Sequence, residues 1–322
     1  MNQPPVNRRL FLCPFQDWPE RPLLQPTTVN NKMNLTNLTG IWHLEGGLAT
    51  RMHSHINARL LAGKDPVSPS LLAEHPAKAI RATLADGGRT IVAGTSAYFD
   101  YVADFYTVDG VCILPILGTL TRYGLCNWGY EDLAGILQAA DRADSIKAVL
   151  LKIDSGGGAV DGLRAFADVV RSTKKPVLVW TNFCASAAYF IASQATEIWV
   201  EDTPLQVIGS IGTLMVYTDQ SQALEKAGYQ VEIFRAEKSV DKARVNGLEP
   251  LPDESRAEIQ GILNNCQKEF AGYVKRGRSG LLTSDEWETA KMYVPGDGIR
   301  IGLADQKGTF QGAIKRALQL AA

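Results

Sequence analysis

The sequence predicts an α/β protein organised around a parallel sheet. Two observations carry that expectation. Between residues 109 and 182, apolar runs and amphipathic stretches follow one another at short spacing, in the order strand, helix, strand, helix, strand. The apolar runs, such as IKAVLLKID (146–154) and PVLVWTN (176–182), are nearly continuous rather than alternating, which marks strands covered on both faces.

Taken in order, residues 1–34 are rich in Pro, Asn and Gln without periodicity and read as a flexible N-terminal arm. Residues 35–104 read as a mainly helical N-terminal extension, in which HINARLLAG and PSLLAEHPAKAIRATLA are interrupted by KDPVSPS and DGGRT. The main domain is expected over 105–310. It begins with the strand-rich run DGVCILPILGTL (109–120), followed by the amphipathic helix YEDLAGILQAADRAD (130–144) and the strand at 146–154. A glycine turn leads to the helix DGLRAFADVVRST (161–173) and the strand at 176–182. ATEIWVED, IGTLMVYTD and YQVEIFRAE are expected as further strands, with SQALEKAG as a helix before the last of them. Residues 251–278 form a long helix with apolar contacts at Ile259, Leu263, Phe270 and Val274. Thr283 and Glu286 have capping-box spacing for another helix, and residues 311–322 complete a C-terminal one.

Bulk composition narrows the function. The chain has 322 residues, 45% hydrophobic and 21% charged, with 33 basic against 34 acidic side chains; this near-neutral balance is not that of a nucleic-acid binder. No run reaches the length of a transmembrane span and the first twenty residues lack a secretory core, so the expected location is cytoplasmic, without a membrane anchor. The five cysteines include no CxxC pair and fit reduced thiols. All four histidines, His43, His53, His55 and His75, precede residue 76. His53 and His55 lack further ligands at metal-site spacing, so no metal is expected, and any chemistry later in the chain proceeds without imidazole.

Three stretches lie at ends of expected strands, where ligands meet parallel sheets. IDSGGGAVDG (153–162) lets the backbone approach a substrate and present N–H groups to a carbonyl or oxyanion; a structural turn is the plainer reading, and a nucleotide fingerprint does not match. NFCASAAYF (182–190) places Ser186 between a strand and a helix among small neighbours, either as a nucleophile or as an ordinary small packing residue. Cys184 competes for the nucleophilic role. In IFRAEKSVDKA (233–243), Lys238 at the end of an expected strand is the first candidate for a base and Lys242 the second.

Together these stretches resemble the signal peptide peptidase A family of Ser-Lys proteases, and more closely its phage branch of head-maturation proteases. IDSGGGAVDG is similar to the family's Ser-Pro-Gly-Gly segment, with Gly156 in place of the proline; FCASAAYFIAS is similar to its Ala-Ser-Gly-Gly-Tyr-Tyr segment, from which Ala187, Ala188 and Phe190 depart. IGSIG (208–212) matches the element whose serine assists the lysine, and Lys238 lies 52 residues beyond Ser186. The resemblance covers roughly 105–310. It implies a ClpP/crotonase-like fold and a serine endopeptidase with Ser186 as nucleophile, Lys238 as general base and Ser210 assisting it. It also implies an oxyanion hole from the amides of Gly157 and Ala187, and no cofactor. The implied partners are a scaffold, capsid or portal-associated protein as substrate and further copies of the chain in a ring, in host cytoplasm or at the procapsid. The other readings are a crotonase-like acyl-CoA enzyme and a non-catalytic phage assembly protein.

Overall fold

The computed structural model describes residues 42–44, 94–124 and 127–322 of the chain. The arm at 1–34, nearly all of the extension before residue 94 and the pair His53 and His55 lie outside the described residues.

The fold is a mixed sheet with helices on both faces. In chain order the elements are β1 (Trp42–Leu44), α1 (Ser96–Phe105), β2 (Thr107–Val108), β3 (Val111–Leu120), α2 (Tyr130–Arg142), β4 (Ala148–Ala159), α3 (Leu163–Ser172) and β5 (Val177–Ala185). Then follow α4 (Ala187–Ala192), β6 (Glu197–Val200), β7 (Val207–Gly209), α5 (Ser221–Lys226) and α6 (Asp253–Gly277). The chain closes with β8 (Met292–Tyr293), α7 (Pro295–Arg300), β9 (Gln306–Lys307) and α8 (Phe310–Leu320). The main path through the sheet is β2-β3-β4-β5-β6-β9, with β1 attached to β4, β7 to β5 and β8 to β7. The central pairs β3–β4, β4–β5 and β5–β6 are parallel, as the continuous apolar runs require.

The two sheet faces are packed by different helices. Cys112, Leu114, Ile116, Val149, Leu151, Ile153, Val177 and Val179 point into the larger core, shared with Leu133, Ile136 and Leu137 of α2, Phe166 of α3, the whole of α4 and Phe270 of α6. The alternate residues Val111, Ile113, Ala148, Leu150, Leu178 and Trp180 face Ala313, Ile314 and Ala317 of α8. This is the period-two division of a strand's side chains, and each fully buried aliphatic group contributes about 1.5–3 kcal/mol. Pro115 inside β3 is tolerated because β2 pairs only with Val111 and Cys112, so no strand asks Pro115 for an N–H on that edge.

Several expectations change on the structure. The glycine stretch is not a turn: β4 runs through it to Ala159, because β3 continues beside it with Thr119 opposite Gly157 and Leu120 opposite Gly158. IGTLMVYTD yields only an isolated bridge at Leu214, and YQVEIFRAE is not a strand. Its Arg235 instead ties the segment to the following turn, donating to the carbonyls of Lys242 (2.7 Å) and Ala243 (3.2 Å) and pairing with Glu249 at 2.6 Å. Thr283 caps no helix, since its hydroxyl donates to the Arg300 carbonyl, and only a short 3-10 turn follows at Glu286–Thr289.

Candidate active site

Strand β5 becomes helix α4 across one residue, Ser186, which is fully buried. Its backbone stands at φ 57° and ψ −121°, a region that costs a residue with a Cβ about 1–3 kcal/mol. Surrounding bonds hold it there. The Ser186 N–H donates to the Gly209 carbonyl at 2.9 Å, and the Ser186 carbonyl accepts from Phe190 N–H at 2.9 Å. Its hydroxyl lies 3.4 Å from the Gly212 carbonyl. Ala187 and Ala188, completely buried, leave no room for larger side chains at the start of α4.

Beside this junction runs the glycine end of β4. Strand β5 pairs with β4 only as far as Ser155 opposite Cys184, and then its chain turns into α4. Gly158 has no alternative here, since an added Cβ would overlap the Leu120 carbonyl. Gly157 takes φ 98°, open to glycine alone at low cost. Its N–H donates to the Ser155 hydroxyl at 3.1 Å, and that hydroxyl donates to the Gly118 carbonyl at 2.6 Å. The Gly157 amide is thus engaged within its own strand. Ser155, buried and joined to both neighbours, was not singled out in the sequence, although its place directly before three glycines was the available signal.

Ser210 joins this region and Lys238 does not. Ser210 follows β7, which pairs with the last residues of β5, and is buried at φ 52° with its N–H donating to the Lys291 carbonyl at 3.0 Å. Lys238 is exposed in a turn, and no hydrogen bond or ion pair joins it to Ser186 or Ser210 among the described residues. The expected placement at a sheet edge is corrected accordingly: no strand forms there to carry it. Lys242 is exposed too. Around them the chain leaves apolar groups uncovered, with Phe234 at 90% exposure and Tyr229 and Val240 also open. Cys184 is wholly buried, and desolvation pushes its thiol far above the ordinary range, so the thiolate needed for attack is suppressed.

One clip behind the junction fixes α4. The Tyr189 hydroxyl donates to the Leu303 carbonyl at 2.9 Å. Arg278, 1% exposed, donates to the Gly302 carbonyl at 2.9 Å and forks onto both oxygens of Asp305 at 2.9 and 2.8 Å. Asp305 also accepts from Ile198 N–H at 2.6 Å. The helix bearing Ser186, the end of α6 and strand β6 therefore meet at residues 302–305.

Residues 170–322 match the profile of peptidase family S49. The matched segment contains Ser186, Ser210 and Lys238, while the glycine stretch lies upstream of it. The chain is 30% identical over 211 residues to the head-tail preconnector protein GP5 of Enterobacteria phage P21, covering 63% of this chain and 41% of that protein. It is 30% identical over 213 residues to the capsid assembly protease C of Escherichia phage lambda, covering 63% and 47%. The chain spans about half the length of the curated relatives it matches.

Among solved structures, the 1510-N membrane protease specific for a stomatin homolog from Pyrococcus horikoshii is 14% identical, with TM-score 0.36 over 65% of this chain and 79% of that one. A putative enoyl-CoA hydratase/isomerase from Acinetobacter baumannii is 13% identical, with TM-score 0.37 over 67% and 78%. The expected cytoplasmic location does not stand, because the structures similar to this chain include membrane-bound proteases. No helix among the described residues is long and apolar enough to cross a membrane. Nor do the described residues hold a group of three or more His, Cys, Asp or Glu suited to a metal ion.

Proposed function

We propose that the chain is a serine endopeptidase of the Ser-Lys type that cuts scaffold, capsid or portal-associated protein during phage head maturation. The observation that carries this reading is Ser186: one hydroxyl, held in a costly backbone conformation at a strand-to-helix junction, beside a glycine strand. Such strain persists where the surrounding structure enforces it and aims a side chain for chemistry. An acyl-CoA enzyme of crotonase type could use the same glycine strand and helix, but it has no need of a hydroxyl at that junction.

In this reading the Ser186 oxygen attacks the scissile carbonyl while neutral Lys238, steadied by Ser210, takes the hydroxyl proton. Lys238 then returns that proton to the leaving amine, and water activated by the same lysine releases the acyl group. The tetrahedral oxyanion is met by the Ala187 amide and by the Gly157 amide, whose proton is then shared with Ser155. Because Lys238 stands in an exposed turn among uncovered apolar side chains, it reaches Ser186 through assembly, with those side chains buried against a neighbouring copy in a ring. Small residues around Ser186 favour cleavage after small or modest apolar side chains in flexible segments.

The test is co-expression of the wild type, or of Ser186→Ala, with the proteins encoded beside it, followed by mass spectrometry of the fragments. Wild-type-specific cuts after small apolar residues support the reading. Assembled wild-type protein that leaves every neighbour intact removes the maturation role.

A further inference from the structure

The glycine end of β4 carries a strand that belongs to neither its βαβ neighbours nor the main path of the sheet. Trp42 stands opposite Ala159, His43 opposite Gly158 and Leu44 opposite Gly157, all antiparallel. On its other edge the same stretch of β4 is already paired with β3, through Thr119 at Gly157 and Leu120 at Gly158. Strand β1 therefore occupies the edge that β5 leaves when it turns into α4 after Ala185. Cα atoms of β1 also come within 8 Å of those of α4, the helix that begins beside Ser186. The register puts Leu44 at the serine-proximal end, since Gly157 lies two residues past the Ser155–Cys184 pair.

An extended peptide presented to a sheet edge is recognised by main-chain hydrogen bonds, with side chains adding selectivity. The edge at 157–159 is where β4 runs on past the Ser155–Cys184 pair next to Ser186, and this chain's own residues 42–44 fill it. We propose that β1 is an intramolecular blocking strand: it adds to the glycine edge as a substrate backbone would, and a protein substrate gains the site only by displacing it. This rests on the reading of Ser186 as a peptidase nucleophile.

The energetics fit a removable occupant. The strand is three residues long, and two of the three positions it faces are glycines without side chains to pack against. At those two positions the pairing adds main-chain bonds with no side chain opposite, in a length range where isolated pairing is marginal. Residues 45–95 separate it in sequence from α1, so no tight turn binds β1 to its pairing partner. If the open state is populated at about a tenth or less, every ligand of the edge loses affinity by about tenfold or more.

Full-length protein is compared in three forms, all on the Ser186→Ala background for binding: intact, His43→Pro, and Trp42→Gly with Leu44→Gly. Proline removes an N–H and fixes φ; the double glycine variant weakens the strand without that constraint and carries the comparison should His43→Pro unfold by circular dichroism. The probe is a fluorescein-labelled peptide of residues 39–47, TGIWHLEGG, followed by fluorescence anisotropy against a scrambled control. The expected result is affinity at least about tenfold higher for the strand-broken forms than for the intact one. Equal affinity, or equal binding of the scrambled peptide, overturns the proposal.

With Ser186 restored, the rate of its labelling by a fluorophosphonate is expected to rise by about the same factor when β1 is broken. Measurable labelling at equal rates in the intact and strand-broken forms overturns the proposal as well. If the peptide discriminates between the forms and no form is labelled, the blocking strand stands and the nucleophile assignment fails. If intact mass shows wild-type protein cut between residues 42 and 46, the strand is a substrate rather than a block, and the proposal is overturned.

Discussion

The main-chain N–H of Ser186 donates to the carbonyl of Gly209 at 2.9 Å, so the junction residue of β5 is tied to the strand that leads directly into Ser210. That bond holds a serine in a conformation better suited to glycine. Two substitutions at the same place should therefore separate strain from chemistry. In the proposed function Ser186→Ala and Ser186→Gly are both expected to abolish cleavage, and Ser186→Gly is expected to be more stable than Ser186→Ala by about 0.5–1 kcal/mol in urea denaturation. Ser186→Ala as the more stable of the two would show that the junction carries no strain.

Lys238→Ala is expected to lose about 10³-fold or more in proteolysis, and Lys242→Ala to stay within about threefold of wild type, both folded by circular dichroism. Because Lys238 acts on a neighbouring copy's serine in the proposed ring, co-assembly of Ser186→Ala with Lys238→Ala should regain activity that neither has alone. Equal loss in both lysine variants would remove Lys238 as the base.

Ser155→Ala takes away the hydroxyl that positions the Gly157 amide and leaves the Gly118 carbonyl without its 2.6 Å donor. We expect kcat to fall about 10- to 100-fold with KM little changed, and stability to drop by about 1–3 kcal/mol. A merely structural role would lower stability and leave kcat of the folded fraction intact, so steady-state kinetics on protein shown to be folded decide the matter.

Acid should loosen the face covered by α8. Glu197 accepts from Arg316 at 2.6 Å, and that bond, followed by the one from Trp199, holds its carboxyl below its ordinary value of 4.5. A depressed folded-state pKa means the stabilisation is present above pH 4.5 and is lost as pH falls through the lower, folded value. Arg316 is partly solvated, so solvent screening keeps the contribution small. Glu197→Gln should melt lower than wild type at pH 7, and the two melting curves should converge below pH 4.5. A gap that persists unchanged down to pH 3 would contradict this.

How much of this was legible in the sequence follows from range. The βαβ core was readable because continuous apolar runs and 3.6-residue periods are local signals, and β3, α2, β4, α3 and β5 stand where those patterns put them. Ser186 was legible for the same reason, as one polar atom where a strand meets a helix. Residues 229–237 form no strand because β-prone composition is local, whereas a ladder needs a neighbour; the bonds Arg235 makes go to the carbonyls of the following turn at Lys242 and Ala243. The extension of β4 through its glycines depended on β3 lying alongside, and the pairing of β1 with that end on a contact more than a hundred residues away in sequence. Neither leaves a periodic trace.

The clip at residues 302–305 has a consequence for genetics. Leu303 offers only its carbonyl to Tyr189, whereas Asp305 offers its carboxylate to Arg278 and Ile198, and both lie more than a hundred positions after the serine they help to hold. In a random-mutagenesis screen for inactive alleles, Asp305 and Arg278 should therefore appear alongside Ser186, while Leu303 tolerates other apolar residues. Suppressors of a weak Arg278 allele would then cluster in β6 and the 302–305 loop, a map that linear distance from the serine would never suggest.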